Sequence, residues 1–189
     1  DGQQYETLQA AVDAVQGSGT IELTSSIALS DQVTIDSGKT IILDMNGETL
    51  SIGFSDSSKN LIVNNGTLTI TGDGTFDATE ATSYKGFINN YGTLTVENGT
   101  FQIADKAMTV HLRNQDGGKA VINGGTFSGG ATIVRSFEGS NTTITGGSFT
   151  NSVYPAVDVN GETLITGGIF TNTSCSRCDS QNWGYTVRS

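Results

Sequence analysis

Residues 67–76 read TLTITGDGTF, and residues 93–101 read TLTVENGTF. KAVINGGTF (119–127), NTTITGGSF (141–149) and ETLITGGIF (162–170) align with the second copy without gaps, and the first copy carries one extra residue. The terminal aromatics Phe76, Phe101, Phe127, Phe149 and Phe170 recur every 21 to 26 residues or so. TIILDMNGETL (40–50) and TIELTSSIAL (20–29) extend the series toward the N-terminus, so about seven units cover the chain, and self-similarity at this period is the mark of a solenoid.

Within a unit, polar and apolar residues alternate. Leu68, Ile70 and Phe76 align with Leu94, Val96 and Phe101, then with Ala120, Ile122 and Phe127, with Thr142, Ile144 and Phe149, and with Thr163, Ile165 and Phe170. Thr67, Thr69 and Thr71 stand between them, which gives a strand with one packed face and one wet face. Glycine pairs such as Gly124-Gly125 precede the aromatic where the chain must turn a corner. A further short strand enters each unit, in VTI from 33, LIVNN from 61, FINN from 87, TVHLRN from 109, TIVRS from 132 and AVDVN from 156. Two or three strands per turn, each stacked on its equivalent one turn along, predict an all-β parallel β-helix of about seven turns and about 34 Å length. Leucine-rich-repeat spacing and the Asp-bearing calcium-binding nonapeptide are both absent.

The whole chain of 189 residues reads as a single β-helix domain: an N-terminal cap over 1–19, repeat turns over 20–170 and an irregular C-terminal cap over 171–189. In YETLQAAVDAVQGSG (5–19), Tyr5, Leu8, Val12 and Val15 share one side of a short helix that ends at Gly17 and can cover the first turn. Trp183 and Tyr185 are expected to cover the last turn, with Cys175 and Cys178 of CSRC pinning a loop as a disulfide. A net charge of -10 opposes nucleic acid and anionic lipid as partners, and no run is long and apolar enough for direct membrane insertion. The sequence opens at Asp1 without a basic and then apolar leader, so a secretion signal is expected to have been removed or to lie upstream.

The segments TLQAAVDAVQGSGTIELTSSIAL (7–29), TIILDMNGETL (40–50), INGGTF (122–127) and ITGGIF (165–170) resemble the right-handed parallel β-helix domains, pectate-lyase-like in fold, of bacterial cell-surface and adhesin-type proteins. The resemblance implies a right-handed coil and a secreted or cell-surface location. It also implies a role as adhesin segment, spacer or carbohydrate- or protein-binding face, other members of the family being polysaccharide lyases or hydrolases.

Chemistry is expected on the outer side of the TVHLRN strand column. If Val110 and Leu112 point inward, His111 and Arg113 point outward, and the equivalent positions on the next turns place Arg135 and Asp158 beside them. A lyase would use Arg113 or Arg135 for proton abstraction or carboxylate binding, assisted by His111. Hydrolysis needs two or three facing carboxylates, and here Asp158 stands with only the turn acids Asp116 and Glu138 nearby, so the column reads as a surface ladder in which Asp158 relieves two neighbouring arginines rather than as a catalytic site. Tyr91, Arg113, Arg135 and Phe137 are the expected contacts for a glycan or a host protein. Self-association into a filament is the remaining expectation. Asn64 and Asn90, each two residues before an equivalent glycine, are expected to form an internal amide ladder. Thr69, Thr95 and Thr143 are expected to share an outward column, too interrupted by Val121 and Leu164 to order ice. One histidine cannot complete a zinc site with CSRC, and no motif implies a metal or a cofactor.

Overall fold

The structure is a computed structural model that describes residues 2–54, 56, 58–80, 86–104, 109–151, 154–172 and 187–188. It is a parallel β-solenoid of about six turns with three strands per turn, close to the seven turns that the repeat count predicts. The first sheet stacks β1 (Ser18–Glu22), β4 (Thr40–Asp44), β7 (Thr67–Thr71), β10 (Thr93–Val96), β13 (Lys119–Ile122), β16 (Asn141–Ile144) and β19 (Glu162–Ile165). The second stacks β2 (Ile27–Leu29), β5 (Thr49–Ile52), β8 (Thr75–Ala78), β11 (Thr100–Ile103), β14 (Thr126–Ser128), β17 (Ser148–Asn151) and β20 (Ile169–Asn172). The third stacks β3 (Val33–Ile35), β6 (Ile62–Asn64), β9 (Ile88–Asn90), β12 (Val110–Asn114), β15 (Thr132–Ser136), β18 (Val157–Val159) and β21 (Val187–Arg188).

Register converts the sequence repeat into internal columns. Leu43, Ile70, Val96, Ile122, Ile144 and Ile165 are successive partners on the first sheet. Phe76, Phe101, Phe127, Phe149 and Phe170 are successive partners on the second. The phenyl rings stack with centroids 4.6, 4.5, 5.0 and 4.7 Å apart and planes within 8° of parallel. Parallel rings at these centroid distances lie within the range of favourable stacking, and burial, about 1.5–3 kcal/mol for each ring, supplies most of the gain. Phe87, entering from the third sheet, meets Phe76 and Phe101 edge-on at 6.3 and 6.5 Å, which the quadrupoles do favour.

The corner between the first and second sheets needs both glycines of Gly124-Gly125. A Cβ on Gly124 would collide with the Glu97 carbonyl oxygen of the turn below, and Gly125 takes φ +98°. The corner between the third and first sheets carries the expected amide ladder. Asn64 Nδ2 donates to Asn90 Oδ1 at 2.7 Å, and Asn90 Nδ2 donates to Asn114 Oδ1 at 2.8 Å. Asn114 Nδ2 then donates to Thr142 Oγ1 at 2.9 Å. The sequence reading missed Asn114, because Asp116 rather than a glycine stands two residues after it.

The N-terminal helix α1 spans Leu8–Ala14, is N-capped by the Thr7 side chain and buries Leu8, Ala11 and Val12. Tyr5 lies ahead of the helix and is exposed, because the helical stripe begins only at the cap. On the outer side of the first sheet, Thr69, Thr95, Val121, Thr143 and Leu164 form one column as expected. Cys175, Cys178, Trp183 and Tyr185 lie outside the described residues.

Candidate functional site

The outer face of the third sheet is built from two neighbouring columns. One runs Val63, Asn89, Arg113, Arg135 and Asp158, set by β-pairing. The other lies two residues further along, where the amides of Tyr91, Gln115, Phe137 and Asn160 donate to the carbonyls of Asn64, Asn90, Asn114 and Ser136 in turn. The strands place these side chains outward because the residues between them, Asn90, Asn114 and Ser136, are fully buried on the ladder side.

Four of the expected contact residues therefore lie together. Arg113 and Arg135 stand on adjacent rungs, and each guanidinium carbon lies 5.2 Å from the centroid of the Phe137 ring, within cation–π range. The ring thus fixes two like charges side by side. Burial pulls the Arg113 guanidinium below its usual pKa, the neighbouring Arg135 charge adds to that, and Tyr91 opposes it. Tyr91 remains 48% exposed. Its hydroxyl accepts from Asn89 Nδ2 at 3.3 Å, and Asn89 Oδ1 accepts from Gln115 Nε2 at 2.5 Å, so a short amide relay ties the tyrosine to the next rung. Asn89 and Gln115 were missed by the sequence reading, although alignment of the units puts them in the columns of the arginines and aromatics.

Asp158 lies one rung beyond Arg135, with Oδ2 3.3 Å from Arg135 Nε. That nitrogen has no aligned hydrogen-bond acceptor, so the contact is Coulombic, and partial exposure keeps it weak.

His111 departs from the expectation. It is not on this face; it is 1% exposed inside the coil, its ring 5.4 Å from Phe87 and 5.9 Å from Phe127. Nε2 is 3.2 Å from the Gly129 carbonyl oxygen, which assigns the proton to Nε2, and Nδ1 has no hydrogen-bond partner. Burial lowers its pKa to about 4. The reason is a break in alternation near the start of the third-sheet strands: His111 and Leu112 of β12 are both buried, as are the equivalent doublets Phe87-Ile88, Ile133-Val134 and Ala156-Val157. The run of adjacent buried doublets was the available signal. The catalytic arrangement considered from sequence accordingly loses its histidine, leaving Arg113, Arg135 and Asp158 on the outer face.

No group of three or more His, Cys, Asp or Glu side chains placed to hold a metal occurs among the described residues, and no helix among them is long and apolar enough to cross a membrane. No family model matches the chain, and comparison with curated proteins and with solved structures likewise gives no match.

Proposed function

We propose that this chain is a non-catalytic binding module of a secreted or cell-surface protein, and that the outer face of its third sheet holds an anionic glycan. The observation that carries this reading is the clamp of two guanidiniums on adjacent rungs, both held against Phe137, in a chain of net charge -10. Elsewhere, two of the described lysines are engaged in structure: Lys59 Nζ pairs with Asp31 at 2.6 Å, and Lys39 Nζ donates to three carbonyls behind the helix. Two adjacent guanidiniums repel one another, and a carboxylate or sulfate bridging them relieves that repulsion through charge-assisted hydrogen bonds. Tyr91 offers an exposed ring to a sugar face. The adhesin-type role and the pectate-lyase-like ancestry suggested by the sequence fit such a rigid displayed surface.

A glycan microarray carrying acidic and neutral chains tests the proposal. Acidic chains should bind, and Arg135→Ala should weaken binding about ten-fold or more with little change in melting temperature. Phe137→Leu keeps the apolar contact but removes the ring under the guanidiniums, and should also weaken binding. Absence of binding across the acidic panel would refute the proposal. Incubation with polygalacturonate or alginate, with and without calcium, is expected to release neither unsaturated nor new reducing ends.

A further inference from the structure

The outer face of the first sheet takes no part in the binding site proposed on the third. Its central column, from Thr69 to Leu164, also runs back through Ile42 to Thr20, so no charged side chain stands on any of its seven rungs in a chain of net charge -10. Ile42 and Leu164 are exposed aliphatics on the second and seventh rungs, and Val121 stands between them on the fifth. Charge is confined to the two flanking columns. The column before the centre carries Lys119 on the fifth rung and Glu162 on the seventh. The column after it carries Glu22, Asp44 and Glu97 on the first, second and fourth rungs. Some of these side chains are already tied from rung to rung, since Asn141 Nδ2 donates to Glu162 Oε2 at 3.0 Å and Asn123 Nδ2 to Glu97 Oε2 at 3.1 Å. Side chains held in this way lose less freedom when a partner arrives.

This pattern is complementary to itself. We propose that a second copy of the chain docks on the first-sheet face, the two copies being related by a two-fold axis parallel to the solenoid axis. That operation sets each rung against the same rung of the other copy and each flanking column against the opposite one. Ile42, Val121 and Leu164 then each meet their own counterpart, and threonines fill the rungs between them. Every acid lands opposite a hydroxyl of the other copy: Glu22 opposite Ser18, Asp44 opposite Thr40, Glu97 opposite Thr93 and Glu162 opposite Thr166. Lys119 lands opposite the Asn123 amide and one rung from Glu97, so no like charges face one another. A two-fold axis along the strands sets each flanking column against itself instead. For any overlap of six or seven rungs, Glu97 then lies opposite, or one rung from, its own counterpart, which disfavours that arrangement. Rungs about 4.8 Å apart and about 17 Å wide give roughly 500–600 Å² on each copy, near the lower limit for a specific interface, so the dissociation constant is expected at about micromolar or weaker. The third sheet of each copy stays open, so this contact and the glycan-binding face are independent.

Sedimentation equilibrium at protein concentrations up to about 1 mM tests this. A dimer should form, and more readily as salt is raised, because screening relieves the repulsion between two chains of net charge -10. Thr69→Lys and Thr69→Glu each set a charge against its own counterpart, and at one fixed salt concentration each should weaken the dimer about ten-fold or more with little change in melting temperature. An equimolar mixture of the two variants should recover dimerisation as a heterodimer. Arg135→Ala and Phe137→Leu, on the third sheet, should leave the dimer unchanged. A chain that stays monomeric throughout, or a dimer that the Thr69 substitutions leave intact, would overturn the interface. A dimer that both Thr69 variants weaken but their mixture does not restore would overturn the rung-to-rung arrangement.

Discussion

At the scale of single residues, the interior of this solenoid holds two polar devices with opposite logic. Asn90 is satisfied on every side: Oδ1 accepts from Asn64, and Nδ2 faces Asn114 Oδ1, the Gly92 carbonyl and the Lys119 carbonyl at 2.8 to 3.1 Å. Asn90→Ala orphans several buried groups at once and is expected to cost about 2–4 kcal/mol, read from the urea midpoint; a loss under about 0.5 kcal/mol would show that the ladder is dispensable. His111 is only half satisfied, and its imidazole is neutral in the fold because burial lowers its pKa from 6.5 to about 4. Above pH 6.5 both folded and unfolded forms are neutral and the group has no effect on stability. As pH falls below 6.5 the unfolded chain takes up the proton first, so stability declines until about pH 4, where the folded form is protonated as well, and the total loss is about 3 kcal/mol. His111→Leu removes this term. The difference in unfolding free energy between wild type and variant should therefore change by that amount between pH 7 and 4, and a difference that stays constant with pH would contradict the burial of a neutral imidazole.

At the scale of elements, each sheet starts with an edge that could recruit another chain, and the N-terminal helix answers this on the third sheet with side chains rather than backbone. Gln9 Nε2 donates to the Thr34 carbonyl at 3.2 Å while Thr34 N donates to Gln9 Oε1 at 2.7 Å, so one primary amide imitates the next strand of the ladder. Lys39 Nζ closes the helix C-terminus by donating to the carbonyls of Val12, Asp13 and Val15 at 2.8 to 3.0 Å. Lys39→Met keeps most of the stem and is expected to lower stability by about 1–2 kcal/mol, while Gln9→Ala should raise the rate of aggregation seen by light scattering on mild heating. Unchanged behaviour of both variants would mean that the helix adds nothing to the edge. The same elements show what a sequence can and cannot disclose. The aromatic and isoleucine columns were legible because a period-two pattern repeated five times leaves one inward face, and Asn64 and Asn90 were legible from their constant distance to a glycine. The orientation of His111 was not, because strict alternation fails in the first half of β12, and only the recurrence of adjacent apolar pairs on the other turns reveals it. Arg113, Arg135, Tyr91 and Phe137 could be placed on one face from sequence, but the clamp around Phe137 depends on side-chain directions that no spacing encodes.

At the scale of the whole molecule, each turn touches only its neighbours, so stability is close to a sum of turn and interface terms and the ends are weaker than the middle. The N-terminal end is covered by the helix. At the other end Ile165 and Phe170, which continue internal columns, are only half-buried. Phe127, by contrast, is stacked on both faces, at 4.5 Å from Phe101 and 5.0 Å from Phe149, and His111 closes its edge. Phe127→Ala removes a fully enclosed ring and should cost about 3–5 kcal/mol, whereas Phe170→Ala should cost roughly half of that or less, since part of its surface is already in water. Native-state hydrogen exchange should show the same gradient without mutation. Amides of β10, β11 and β12 should exchange only through global opening, with the slope against denaturant that this implies, while those of β19 and β20 should exchange through a local opening of lower free energy. The gradient bears on the proposed binding face, because Tyr91, Arg113 and Arg135 sit on central rungs, which are then the last to open. If β19 and β20 instead exchanged as slowly as β10, the coil would be opening as one cooperative block, and Phe170→Ala would then cost as much as Phe127→Ala.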